Sequence, residues 1–343
     1  MKKPVRTLIV DDSIVVRMVL NEILSQDPDI EVVATAEDPF DAREKIKKYD
    51  PDVVTLDIEM PKMDGISFLK RIMRLRPVPV IMVSTLTAQG ADITLQALEI
   101  GAVDFVHKPG QQEQHIKTLG EELIAKVKMA ATANLASREL QSPAKPYVAS
   151  TRKEHYSVVA IGASTGGTEA IKEALMDYPK NGPPVIISQH IPPIFSTTYC
   201  QRLSQTVGVP VIEVMDKVAL ESGTIYLAHG DSHMIFRKSS QVFALADNSE
   251  KVNKHRPSVD VMFNSISTLY GDSILGVLLT GMGADGAEGL LKIRQNGAHT
   301  VAQDESSSVV YGMPRRAAEL GAAVEVLSLQ DIRQKLANIC LKN

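Results

Sequence analysis

Five short runs dominated by Val and Ile lie within the first 110 residues: TLIVD, EVVATA, DVVTLD, VPVIMVS and VDFVHK. Each is followed by a segment with helical spacing. Apolar runs of this length that do not alternate with polar residues must be covered on both faces, as strands of a parallel sheet flanked by helices are. The pattern predicts repeated βα units and a doubly wound α/β sheet, with right-handed crossovers leaving few topologies. Capping residues mark the boundaries: Ser13 precedes the first helix, and Asp38 followed by Pro39 opens the second.

A second βα series starts at SVVAIGAS and continues through PPVIISQH. A β-rich stretch of GTIYLAH, HMIFRK and QVFALA follows, and α/β character returns at ILGVLLTG, HTVAQ and AAVEVL. The second half reads as another mainly parallel doubly wound domain with an antiparallel hairpin excursion. Between the halves, SPAKPYVASTRKE has the Ser, Ala, Lys and Pro content of an extended linker. The expected organisation is a domain over 1–130, a linker over 131–153 and a domain over 154–343, in keeping with a length of 343 residues.

Composition narrows the functional classes. With 44% apolar and 23% charged residues the chain is ordinary globular protein. Cys200 and Cys340 are too few for a disulfide framework and lack metal-ligand spacing, which suits buried thiols in a reducing cytosol. The opening MKKPVRTLIV is broken by Asp11 and Asp12, so an export leader is not expected. No apolar stretch approaches the ~18 residues of a membrane span. A net charge of −4 without a basic block provides no footprint for nucleic acid.

Ligands of open α/β sheets bind beyond the carboxyl ends of the strands. In the first half those ends carry Asp11 and Asp12, Asp57, Ser84 and Lys108. Three converging carboxylates repel one another, and a hard cation such as Mg²⁺ relieves the repulsion. Metal and lysine together would neutralise charge during phosphoryl transfer to Asp57. DD at 11 and 12, LDIEMPKMDG around Asp57, MVST at 82–85 and HKP at 107–109 resemble a response-regulator receiver domain over about residues 4–125. The resemblance implies a flavodoxin-like fold with Asp57 as phosphoacceptor and Asp11, Asp12 and Asp57 around Mg²⁺. It also implies that Ser84 senses the phosphoryl group, that Lys108 pairs with it, that Phe105 is the aromatic switch, and that the Lys108–Pro109 peptide is often cis.

In the second half, the strand SVVAIG runs into GASTGG at 162–167, which contains G-x-S-x-G with Ser164 at its centre, and a helical segment follows. Strand, sharp turn and helix are the context of a nucleophile elbow, in which backbone N–H groups can stabilise an oxyanion. The same turn also fits a glycine-rich anion cradle, although it lacks the lysine of a P-loop and the spacing of a dinucleotide site. A serine nucleophile needs a base. His190, ending PVIISQ, should reach the same sheet edge as Ser164; His229 and His255 remain rivals. His107, His115, His155 and His233 fall in the first domain, a helix, the linker and a predicted hairpin respectively. For the orienting acid, Asp285 in GMGADG competes with Asp304 after HTVAQ.

GASTGG, the SQHIP segment around His190 and LLTGMGADG together resemble the catalytic domain of the CheB-type chemotaxis methylesterases over residues 154–343. The resemblance implies Ser164 as nucleophile, His190 as base and then acid, Asp285 as orienting carboxylate, the Met282 N–H as oxyanion donor and Thr165 as a supporting polar group. Many relatives have Asn at the position of Ala284, which puts nothing catalytic in doubt. The implied activity is hydrolysis of glutamate γ-methyl esters, and deamidation of particular glutamines, on chemoreceptors. It would be controlled by a histidine kinase that phosphorylates the receiver, in the cytoplasm, with Mg²⁺ for phosphorylation and no cofactor for ester hydrolysis. A non-catalytic module using GASTGG as an anion site is the alternative. A transcriptional regulator is not expected, because the second half shows βα units and no basic recognition helix.

Overall fold

A computed structural model describes residues 3–84, 87–108, 113–135 and 154–342, with backbone alone at 88, 89 and 113–118. The chain divides into two compact units, 1–138 and 139–343. The expected linker is outside the described residues from position 136 onward, as is Pro109 with its peptide bond.

The first unit is a five-stranded parallel sheet in the order β2-β1-β3-β4-β5. Its strands are β1 (Val5–Val10), β2 (Ile30–Ala36), β3 (Val53–Asp57), β4 (Val80–Ser84) and β5 (Asp104–His107). Helices α1 (Ile14–Ser25), α2 (Pro39–Tyr49), α3 (Gly65–Leu75), α4 (Ala88–Ile100) and α5 (Glu113–Ala130) alternate with them. The caps form as expected: Ser13 accepts from the Val16 N–H, and Asp38 from those of Phe40 and Asp41. β3 and β4 are buried along their whole length, which is why they are apolar apart from Thr55 and the strand-end Asp57 and Ser84. Each fully buried aliphatic side chain there contributes roughly 1.5–3 kcal/mol.

In the second unit a seven-stranded sheet has the order β16-β15-β14-β7-β8-β11-β9, with every pairing parallel. Its strands are β7 (Val158–Ala163), β8 (Val185–Gln189), β9 (Val211–Val214), β11 (Ile225–Ala228), β14 (Ile274–Leu278), β15 (His299–Gln303) and β16 (Glu325–Leu327). The helices are α6 (Gly167–Ala174), α7 (Pro193–Val207), α8 (Val259–Tyr270), α9 (Ala287–Gln295), α10 (Met313–Glu319) and α11 (Leu329–Ala337). From β7 the chain first builds outward through β8, then returns to lay β14 on the other side of β7, so the strand order reverses between β7 and β14. Crevices form at such switch points.

The antiparallel excursion is smaller than its sequence suggests. GTIYLAH supplies β11, which joins the parallel sheet, because Ile225 to Ala228 are buried on both faces. The excursion proper is a three-stranded sheet of β10 (Val218–Ala219), β13 (Val242–Asp247) and β12 (His233–Lys238). His155 belongs to a strand rather than to the linker: β6 (Glu154–Tyr156) pairs with β17 (Ile339–Leu341). No described helix is long and apolar enough to cross a membrane.

Candidate active site and phosphoacceptor pocket

In the first unit Asp11 follows β1, Asp57 closes β3, Ser84 closes β4 and Lys108 follows β5, so parallel pairing brings all four to one edge. One oxygen from each of Asp11, Asp12 and Asp57 lies within 4.8 Å of the others, with Asp12 exposed and the other two buried. Lys108 Nζ pairs with Asp57 Oδ2 at 2.7 Å and Asp11 Oδ2 at 3.3 Å. Burial pushes the Asp57 carboxyl up to about 6, opposed by Lys108 and reinforced by the Asp11 charge. Asp11 is raised too, chiefly by burial, with Lys108 opposing. An all-oxygen set with excess negative charge fits a hard divalent cation. The Ser84 and Thr94 hydroxyls hydrogen-bond at 2.9 Å. Phe105 is buried, edge-on to His107, with Lys126 Nζ 5.1 Å from its ring centre.

In the second unit the structure brings Ser164, His190 and Asp285 together from three adjacent strands, beyond β7, β8 and β14. The backbone turns sharply after Ser164 through Gly166, at φ +74°, where a Cβ would also stand 2.8 Å from Val309 Cβ. Gly281 allows an equally close approach, since a Cβ there would lie 2.7 Å from Ser164 Cβ. His190 Nδ1 is 3.1 Å from Ser164 Oγ, and its Nε2 is 2.8 Å from Asp285 Oδ2. An ionised carboxylate can only accept, so Nε2 carries the hydrogen and Nδ1 offers its lone pair to the serine hydroxyl. The two ring nitrogens thus exchange the roles they have in the familiar serine-protease triad.

Asp285 is buried and accepts from five donors: His190 Nε2, Asn253 Nδ2, Ser258 Oγ, and the backbone N–H groups of Val259 and Asp260. The last two open α8, so the carboxylate sits at the positive end of a helix. Burial opposes its charge, but the His190, Asn253 and Ser258 contacts outweigh that penalty and hold it well below the usual carboxylate range. Gly281 C=O accepts from the Gly312 and Met313 N–H groups, which directs the Met282 N–H to the opposite side of that peptide. The Met282 N–H has no hydrogen-bond partner among the described residues. Thr165 is buried, and its carbonyl accepts from Thr280 Oγ1 at 3.0 Å.

Of the rivals, Asp304 and His229 are engaged with other groups and His255 stacks beside His190; His233, not among them, is engaged elsewhere. Asp304 is engaged within its own turn by Ser306 and Ser307. His229 Nδ1 lies 2.7 Å from Glu213. His233 accepts from the Ser258 N–H and reaches the Glu250 carbonyl. His255 stacks on His190, ring centres 3.7 Å apart and planes 11° from parallel. Sequence reasoning missed Asn253 and Ser258 around Asp285, and also Gln189, whose Nε2 donates to the carbonyls of Ser164 and His190. Only Gln189 carried a signal, by adjoining His190 at a strand end. Asn253 and Ser258 lie some thirty residues before Asp285 in an irregular segment.

Residues 159–336 match the CheB methylesterase family and residues 7–120 the response regulator receiver domain. The chain is 48% identical over 343 residues to protein-glutamate methylesterase/protein-glutamine glutaminase 2 of Vibrio vulnificus (strain YJ016), covering 99% of each chain. It is 48% identical over 340 residues to the corresponding protein 1 of Caulobacter vibrioides (strain ATCC 19089 / CIP 103742 / CB 15), covering 98% of each. The crystal structure of the Thermotoga maritima CheB methylesterase catalytic domain aligns with 54% of this chain and 98% of that one, at 35% identity and a TM-score of 0.52. The likeness spans both units and nearly the whole length of the curated relatives: the chain belongs to the CheB methylesterase family.

Proposed function

We propose that the chain is a receiver-controlled serine hydrolase that removes methyl groups from glutamate γ-methyl esters, and ammonia from particular glutamines, on chemoreceptors. The observation that carries this reading is the unbroken line Ser164 Oγ, His190 Nδ1, His190 Nε2, Asp285 Oδ2. His190 Nδ1 takes the hydroxyl proton as Ser164 attacks the side-chain carbonyl, and the imidazolium is stabilised by the ionised Asp285. The developing oxyanion is met by the Met282 N–H. Collapse expels methanol or ammonia with the proton from His190. Water, deprotonated by the same nitrogen, then releases glutamate and restores the serine. Thr165 supports the turn through its carbonyl. Release of methanol from methylated receptor by the full chain and by Ser164→Ala tests the reading; retained release in the variant would sink it.

Asp57 is the proposed phosphoacceptor, with a histidine kinase as donor and Mg²⁺ held by Asp11, Asp12 and Asp57. A divalent cation bound there would neutralise charge during phosphoryl transfer. Lys108 pairs with the new phosphoryl group, Ser84 gives up its hydroxyl contact with Thr94 to meet it, and Phe105 repacks in response. Ester hydrolysis uses only groups of the polypeptide.

A further inference from the structure

We propose that the Val252–His255 turn is a positioning clamp for the triad: Asn253 ties the Asp285 carboxylate to the buried Asp260 carboxylate, and His255 lies flat on the His190 imidazole and holds its plane. The proposal rests on the hydrolase reading above and goes beyond it, since neither residue is a member of the Ser164–His190–Asp285 relay: each acts through one of its members.

The turn is built for placement. Val252 and His255 exchange backbone hydrogen bonds of 3.1 and 2.9 Å, and both central residues, Asn253 and Lys254, have positive φ, at 54° and 69°. Two consecutive non-glycine residues in left-handed conformation are strained, Lys254 more than Asn253, and persist only where surroundings compensate. The compensation is visible at Asn253, whose Nδ2 donates to Asp260 Oδ2 and to Asp285 Oδ1, both at 2.7 Å. An amide nitrogen carries two hydrogens, and here both are directed at buried carboxylates that would otherwise repel each other. Asp260 is in turn held by the Gly289 N–H at 2.7 Å. The bridge is neutral: it fixes Asp285 without discharging it, as a lysine would do, and without adding a third anion.

The second arm acts on the base. Rotation of the His190 ring about its Cβ–Cγ bond would replace both catalytic nitrogens with carbons, so its plane decides whether the relay exists. His255, stacked at 3.7 Å, blocks that rotation on one face. The clamp is anchored at its far end. Arg256 pairs with Asp231 at 3.0 Å and donates to the carbonyls of Asn248 and Ser249, while His233 binds the Ser258 N–H. Both anchors belong to the β12–β13 excursion or its flanks, which gives that excursion a purpose: it carries the residues that orient the acid and the base.

The experiment measures kcat and KM for methanol release from methylated receptor by the full chain and its Ser164→Ala, His255→Ala, His255→Phe and Asn253→Ala variants. The proton resonance of His190 Nε2–H is followed in parallel. His255→Ala and Asn253→Ala are expected to lower kcat about 10- to 100-fold with little change in KM, because misplacement of a base costs orders of magnitude. The His190 resonance should broaden in both. His255→Phe, which keeps a flat face without nitrogens, should recover kcat to within about threefold of the parent. Unchanged kcat in His255→Ala, or His255→Phe as slow as His255→Ala, overturns the clamp, and these two variants decide it even if Asn253→Ala fails to fold. Retained release in Ser164→Ala would instead overturn the hydrolase reading beneath it.

Discussion

Two buried aspartates at the carboxyl edges of the two parallel sheets, Asp57 at the end of β3 and Asp285 beyond β14, have opposite acidities. Both lie at the carboxyl edge of a parallel sheet and both are almost wholly buried. Asp57 is pushed up to about 6, while Asp285 is held well below the usual range. Burial raises both, so the difference lies in their partners. Asp285 accepts from five donors, two of them the first N–H groups of a helix. Asp57 has Lys108 and the Glu59 N–H, and faces the like charge of Asp11. In the orienting role proposed for Asp285, a carboxylate must stay ionised through every turnover, and the five donors saturate its charge from within. In the phosphoacceptor role proposed for Asp57, a carboxylate must bind a cation and then a phosphoryl group, so its stabilisation would be left to the ligand.

The sharpest way to break this comparison is to remove the saturated acid. Ser164→Ala, His190→Ala and Asp285→Ala should each lose ~10³-fold or more of methanol release, with double variants hardly worse than singles, because the three act as one unit. Asp304→Ala should leave turnover intact; the reverse result would move the acid. Phosphorylation is expected to matter less: a small phosphodonor with Mg²⁺ should raise turnover of the full chain about 5- to 150-fold, and Asp57→Asn should remove the response. Turnover that rises equally in Asp57→Asn would place control elsewhere.

Stability against pH separates the two carboxyls further. The raised Asp57 carboxyl means that its contribution is fully present below about pH 4 and is lost as pH rises through about 6. Without divalent cations, Asp57→Asn should therefore gain on the order of 1–3 kcal/mol over the parent between pH 4 and pH 7.5 in urea unfolding. Asp285, with its lowered carboxyl, carries the opposite sign: its contribution is present above about pH 4 and is lost on acidification. The smallest effect concerns the exposed ligand. Asp12→Ala should weaken Mg²⁺ binding about tenfold, read by titration, with the triad variants unaltered in the same assay.

Much of the fold was legible because buried parallel strands leave continuous apolar runs, and because Ser13 and Asp38 announce helix starts. Ile225–Ala228 shows the limit: a buried strand inside a β-rich stretch has the same local pattern whether its neighbours are parallel or antiparallel, and only the pairing with β8 and β9 decides that it is parallel. In the site, the glycine turn around Ser164 was recognisable as a strand–turn–helix, but its local pattern fitted a nucleophile and an anion cradle alike. No local pattern separates His190 from His229 and His255, or Asp285 from Asp304; the distances to Ser164 Oγ and within the His190–Asp285 pair are tertiary facts.

The sequence by itself determined two doubly wound halves, an acidic edge in the first and a glycine-rich turn in the second that suits either a nucleophile or an anion cradle, since each follows from periodicity or from a motif a few residues long. Tertiary structure decided which groups meet. Ser164 and His190 are 26 positions apart and His190 and Asp285 are 95 apart. Asn253 and Asp260 reach Asp285 only after β14 has crossed back beside β7. Such contacts depend on strand order and on which atom of a ring faces which partner, and neither is encoded in any short stretch of chain.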